Sequence, residues 1–152
     1  MPTPTGEDFL YQEIEDAPGW FVWDLTDKTR WNHTVMGPMR VRREGDFVRL
    51  RMYPEHKHTN LLNNLHGAAT LSLIDISLFA GVRLLLDGDA SGSVTLDLST
   101  QFIGAGDVEQ PVDAVIEVLR ETRRLVFLRG LVVQEDNKIA AYAGTVRKPS
   151  QK

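Results

Sequence analysis

The chain has 152 residues, 42% of them hydrophobic and 25% charged, and a formal net charge of −4. That length holds one domain with its own core, and a chain with no basic block is not expected to bind nucleic acid. The absence of cysteine excludes disulfides, thiolate metal sites and cysteine nucleophiles.

Residues 1–8 lack the basic and apolar regions of a signal peptide, so a soluble cytoplasmic protein with no membrane partner is expected. Residues 1–33 read as an N-terminal extension packed on the domain, punctuated by Pro2, Pro4, Pro18 and Gly19. Within it, residues 7–16 are expected as a short amphipathic helix. Trp20, Phe21, Trp23 and Trp31 are its expected anchors, because exposing so much aromatic surface is unfavourable.

Residues 34–152 are expected to form the domain proper. Residues 38–43 and 46–53 flank the turn Arg43-Glu44-Gly45-Asp46 and read as a β-hairpin whose second strand ends at Pro54. A polar loop follows at 55–66, carrying His56, His58, His66, Asn60, Asn63 and Asn64. Residues 67–86 should be helical, stopping at Asp87-Gly88-Asp89. Asp75, Gly81 and Arg83 interrupt this segment, so it reads as a buried helix rather than a bilayer span. Apolar residues occupy nearly every face of it, so more than one surface must cover it. One sheet covers one side, and a partner subunit is the simplest second cover.

Residues 93–103 alternate, with Val94, Leu96, Leu98, Thr100 and Phe102 on one face and Thr95, Asp97, Ser99 and Gln101 on the other. Strands at 112–121, 125–134 and 139–147 follow, joined by short turns at 122–124 and 135–137 that imply antiparallel neighbours. The expected fold class is α+β, a strongly curved antiparallel sheet wrapped around one long central helix.

Asp75 is a carboxylate in a mostly apolar helix, where burial favours its protonated form and suits it to work as a general base or nucleophile. A structural alternative is a bond to Ser72 or an ion pair with Arg83. His66 and Gly67 stand at the helix start, where free N–H groups can hold a developing oxyanion, although ordinary capping explains the same residues. The four histidines show no metal-ligand spacing, no Gly-x-Ser-x-Gly is present, and Gly104-Ala105-Gly106 lacks the third glycine of a dinucleotide loop. No metal is expected. Arg120, Arg123, Arg124 and Arg129 surround one hairpin, either as a clamp for a phosphorylated ligand tail or as a solvated turn with surface pairs.

Asn60, His66, Gly67 and Asp75 together resemble the signature of hotdog-fold acyl-CoA thioesterases of the phenylacetic-acid-degradation type. That signature reads Asn-x-x-Gly-x-x-His-Gly-Gly, with Asp eight residues beyond the first of the paired glycines. Asn63 replaces its internal glycine here and Ala68 its last. The resemblance covers about residues 39–147, and Gly92-Ser93-Val94-Thr95 resembles the strand that carries a Ser or Thr facing the site. It implies that Gly67 N–H polarises the thioester carbonyl, Asp75 attacks or activates water, and Asn60 holds the water or the carboxylate. Thr95 would assist Asp75, and His66 would stiffen the loop. It further implies an acyl-CoA substrate, with coenzyme A entering only as part of it and no other cofactor. Ala68, Phe79, Arg120, Arg123 and Arg124 are the candidate substrate contacts, with Leu78 beside Phe79. A homodimer sharing its sites, assembling to a homotetramer, is the implied state. A hydratase or dehydratase on the same fold and a non-catalytic acyl-CoA binding protein are the alternatives.

Overall fold

Short turns close the chain's alternating segments into hairpins, and the long helix supplies what their apolar faces bury. The computed structural model describes residues 8–87 and 90–150. Along them run β1 (Phe9–Leu10), β2 (Glu13–Ile14), β3 (Ala17–Leu25), β4 (Met39–Glu44), β5 (Phe47–Met52), α1 (Gly67–Leu85), β6 (Val94–Phe102), β7 (Val112–Glu121), β8 (Leu125–Gln134) and β9 (Asn137–Arg147). The strands form one sheet in the order β1-β3-β4-β5-β7-β8-β9-β6, with β2 paired to β3, and every pairing is antiparallel. This is the hotdog arrangement that the motif implied.

Side chains at every second position fill the concave face. Val48, Leu50, Met52, Val112, Ala114, Ile116, Val126, Leu128 and Val146 are fully buried there against Leu73, Ile74, Leu78 and Ala80 of α1. A Cβ on Gly81 would lie 2.9 Å from Leu128 Cδ2 and 3.3 Å from Ile116 Cγ2, so glycine lets the helix settle onto β7 and β8. By length and hydropathy α1 is sufficient to cross a bilayer, contrary to the reading of its sequence, but here the sheet wraps it and buries much of it. The sheet leaves one stripe open: Ala68 and Leu71 are exposed, and Ser72, Asp75 and Phe79 are half-buried.

The core also holds one polar pair. Ser77 Oγ donates to Ile74 O at 2.7 Å and lies 2.8 Å from the Tyr142 hydroxyl, which is left to act as the donor. Burial pushes the Tyr142 phenol above the ordinary tyrosine range, opposed by that hydrogen bond. Ser77→Ala is expected to lower stability by about 1–3 kcal/mol in urea unfolding, because it strands a buried hydroxyl. Tyr142→Phe should lose less, since Ser77 keeps Ile74 O. Equal losses would remove this account.

Two expectations are corrected. Residues 9–16 are not helical: β1 and β2 pair with β3, which itself pairs with β4. The open edge of β4 offers a row of backbone partners, and that tertiary pairing overrides a local helical spacing. Trp20 and Trp23 are the buried anchors, whereas Trp31 is 59% exposed. The guanidinium groups of Arg42 and Arg51 lie 4.4 and 4.7 Å from the centre of the Trp20 ring. At the other end of the sheet β6 pairs with β9, and β7 joins β5. Residues 7, 88 and 89, which bound the expected N-terminal helix and the expected helix stop, lie outside the described residues.

Candidate active site

His66 caps α1. Its backbone is extended (φ −67°, ψ 138°), its Nδ1 accepts from Ala68 N–H at 2.9 Å, and its carbonyl accepts from Ala69 and Thr70 N–H. His66 N–H itself donates to His58 O at 2.7 Å. Among the described residues the one N–H at this helix start with no acceptor is that of Gly67, where the helix dipole is positive. A Cβ there would touch the Phe102 ring at an ordinary 3.5 Å, so glycine is required by neither backbone nor packing. What it leaves is clear access to its N–H.

The loop before the cap is built by Asn60. Its Oδ1 accepts from Leu62 N–H (2.9 Å) and Asn64 N–H (3.1 Å), while its backbone bonds Asn63 and Asn64. Asn63, at the signature's glycine position, adopts the left-handed φ of 61° that a glycine would favour and asparagine tolerates. Leu65 N–H donates to Gly106 O at 2.9 Å, tying the loop to the β6–β7 connection. A Cβ on Gly106 would lie 2.8 Å from the Leu65 side chain, so Gly106 serves close approach rather than phosphate binding. With Oδ1 occupied, Asn60 offers its Nδ2 as a donor.

His58, one of three histidines in the polar loop, has a role that its spacing does not signal. It is buried, its Nδ1 accepts from Glu55 N–H at 2.9 Å, and its Nε2 faces Val35 O, so the hydrogen sits on Nε2. A single imidazole thus pins the loop from beneath. A His-x-His spacing before a cap has no sequence signal separating this role from exposure, and His56 is exposed. His33 bonds Asp24 at 2.9 Å, far in sequence from the others. Among the described residues no three histidine or carboxylate side chains converge as metal ligands would.

Asp75 is half-buried on the open stripe, and Thr95 Oγ1 donates to its Oδ1 at 2.7 Å. Simple alternation turns Thr95 away from the helix. A β-bulge corrects this: Thr95 opposes Val146 and Asp97 opposes Thr145, so Leu96 is the extra residue. The bulge puts Thr95 on the face of Leu98 and Thr100 and exposes Val94 and Leu96. Arg83 is not the partner of Asp75, since aromatic rings of the extension surround it instead.

Phe79 is half-buried one turn beyond Asp75 and Ala68 is exposed at the helix tip, so both border the open stripe, whereas Leu78 is fully buried and cannot. Arg120, Arg123 and Arg124 are exposed, and none forms an ion pair among the described residues, while Arg129 pairs with Glu117 at 2.6 Å. Arg123 and Arg124 line a cleft of about 30 Å³ with Pro149 and Ser150. Thr95 opposes Val146 and Val146 opposes Val126, so this turn stands at the Thr95 end of the sheet, about 10 Å away across two strand spacings.

The structure therefore joins Thr95 to Asp75 and His66 to the Gly67 turn, but does not join these groups to one another. Eight residues of α1 place Gly67 N–H and Asp75 about 12 Å apart along its axis, too far to serve one carbonyl. A cleft of about 410 Å³ between Glu55, Asn63 and Asp107 contains neither group. In one chain the open stripe is a surface lacking a second wall.

The thioesterase superfamily matches residues 62–141 of this chain. No curated protein matches its sequence. Among solved structures, zebrafish thioesterase superfamily member 2 is similar with 24% identity and a TM-score of 0.68, over 81% of this chain and 89% of that one. The E. coli PaaI protein of the phenylacetic acid degradation operon shares 14% identity with a TM-score of 0.68, over 81% and 87%. A hypothetical thioesterase from Streptococcus pneumoniae, solved with coenzyme A, shares 19% identity with a TM-score of 0.65, over 75% and 88%.

Proposed function

This chain belongs to the thioesterase superfamily, and on that premise we propose that it hydrolyses the thioester bond of an acyl-CoA or aryl-acyl-CoA. The observation that carries the reading is the pairing of one unpartnered N–H, at Gly67, with one Thr95-bound carboxylate, Asp75, on the uncovered stripe of α1. Gly67 N–H takes the carbonyl oxygen and holds its charge as the carbon becomes tetrahedral. Asp75 removes a proton from water as the water oxygen bonds that carbon. Collapse then breaks the C–S bond, the thiolate takes up a proton, and the products are a carboxylic acid and coenzyme A. The reaction is redox-neutral, so coenzyme A enters only as part of the substrate.

Direct attack by Asp75 through a mixed anhydride needs the same carboxylate. Single-turnover hydrolysis in 18O-water tests for the anhydride: label entering the Asp75 side chain marks an anhydride opened at the Asp75 carbonyl, which general-base catalysis never produces.

Because the two groups lie about 12 Å apart in one chain, the functional unit we propose is a homodimer in which Asp75 of one subunit faces Asn60 and Gly67 of the other, with two dimers able to form a homotetramer. The open stripe, with Leu71 exposed on it and exposed Phe102 beside Gly67, is the apolar surface such pairing would cover. The unpaired arginines 120, 123 and 124 are assigned to the phosphates of coenzyme A. Joint Arg123→Ala and Arg124→Ala replacement is expected to raise KM for a CoA ester about tenfold with little change in kcat. The same acyl group on N-acetylcysteamine should be hydrolysed unchanged. An equal loss on both thioesters would remove the assignment.

A further inference from the structure

Arg83 is a charged group on the open side of α1 for which the hydrolysis above has no use. It lies two turns beyond Asp75, with Phe79 midway between them, and all three are half-buried. Its guanidinium stands 5.1 Å from the ring centre of Phe9 and 5.8 Å from those of Tyr11 and Trp23. Phe9 and Trp23 lie on β1 and β3 and Tyr11 on the connection that follows β1, so the extension outside the matched family region builds this cage.

Ring faces offset the charge of a guanidinium but leave its five N–H donors without strong acceptors. Among the described residues no carbonyl or carboxylate accepts from Arg83, and Asp87, one turn further along, does not pair with it. Glu13, the other acid near Tyr11, accepts from Gly19 N–H instead. A structural staple accounts for the meeting of the rings, yet a leucine or methionine would fasten them without an unpaired charge. The donors themselves call for an anion.

The stripe reads carboxylate, aromatic ring, guanidinium. Asp75 and Arg83 are about 12 Å apart along the axis; Asp75 is held from β6 and Arg83 by the rings of the extension, so the two groups border the stripe from opposite edges of the sheet. Resting on the thioester-hydrolase reading, we infer that Arg83 receives the carboxylate at the far end of an ω-carboxyacyl chain. The preferred substrates are then CoA monothioesters of dicarboxylic acids. An extended chain advances about 1.2 Å per bond, so after allowance for the reach of arginine the span fits a diacid of about six to eight carbons.

The test compares adipyl- and suberyl-CoA with hexanoyl- and octanoyl-CoA, on the wild-type protein and on Arg83→Met. The wild type should favour the carboxylated esters at least about tenfold in kcat/KM. Arg83→Met should lose that preference while hydrolysing the neutral esters within about threefold of wild type. Arg83→Lys, which keeps the charge and the ring contact, should retain part of it and covers the case in which methionine loosens the extension. No preference in the wild type, or equal loss on both ester sets, overturns the inference while leaving the hydrolase reading in place. Turnover of no ester overturns the hydrolase reading instead. Carboxylate docking is then read by melting temperature: suberyl-CoA must raise that of the wild type more than that of Arg83→Met, octanoyl-CoA must not discriminate, and equal shifts overturn it.

Discussion

Asp75→Asn is expected to fold as the wild type does and to lose thioester hydrolysis by about three orders of magnitude in kcat. The amide matches the carboxylate in shape and still offers an oxygen to Thr95 Oγ1, which donates at 2.7 Å. The position is only half-buried, so its replacement disturbs little packing. What disappears is the anion, needed equally for proton removal and for direct attack. Thiol release from an acyl-CoA panel measures the loss, and circular dichroism with a melting curve verifies the fold. Asp75→Asn and Asp75→Ala both turning over near the wild-type rate would end the proposal, because no other carboxylate lies on the open stripe among the described residues.

Mixing two inactive variants is expected to restore activity. If each site takes Asp75 from one subunit and Asn60 with Gly67 from the other, an Asp75→Asn subunit paired with an Asn60→Ala subunit forms one doubly defective site and one intact site. Random exchange at equal amounts makes about half the dimers mixed, each with one working site of two, so about a quarter of wild-type activity returns. Sites contained within single chains would return none. The expectation follows from the separation of about 12 Å between Gly67 and Asp75 on one helix, which no side-chain rotation closes. Exchange is followed by the rise of activity with time after mixing, and the separate variants supply the baseline.

Much of this molecule is readable from short stretches of chain. The strands at 112–121 and 125–134 and the start of α1 at Gly67 fall where alternation, turn residues and the capping signal place them. The left-handed φ of Asn63 agrees with its standing at the signature's glycine position. The side on which Thr95 stands is different in kind. Period-two counting assigns it to the outer face, and one extra residue at Leu96, set by pairing with β9, reverses it. Residues 9–16 likewise have a plausible helical spacing that the free edge of β4 overrides.

The sequence by itself determined the elements from the β4–β5 hairpin onward, the cap that leaves Gly67 N–H free and the identity of the carboxylate on the helix. Each depends on neighbours within a few residues, whose spacing is written along the chain. Only the tertiary structure decided that Thr95 meets Asp75, that His58 is buried beneath the loop, that β6 lies at the edge and that aromatic rings of the extension cage Arg83. Those outcomes turn on register and packing between segments far apart in sequence. There a one-residue shift moves a side chain to the opposite face without altering any local propensity.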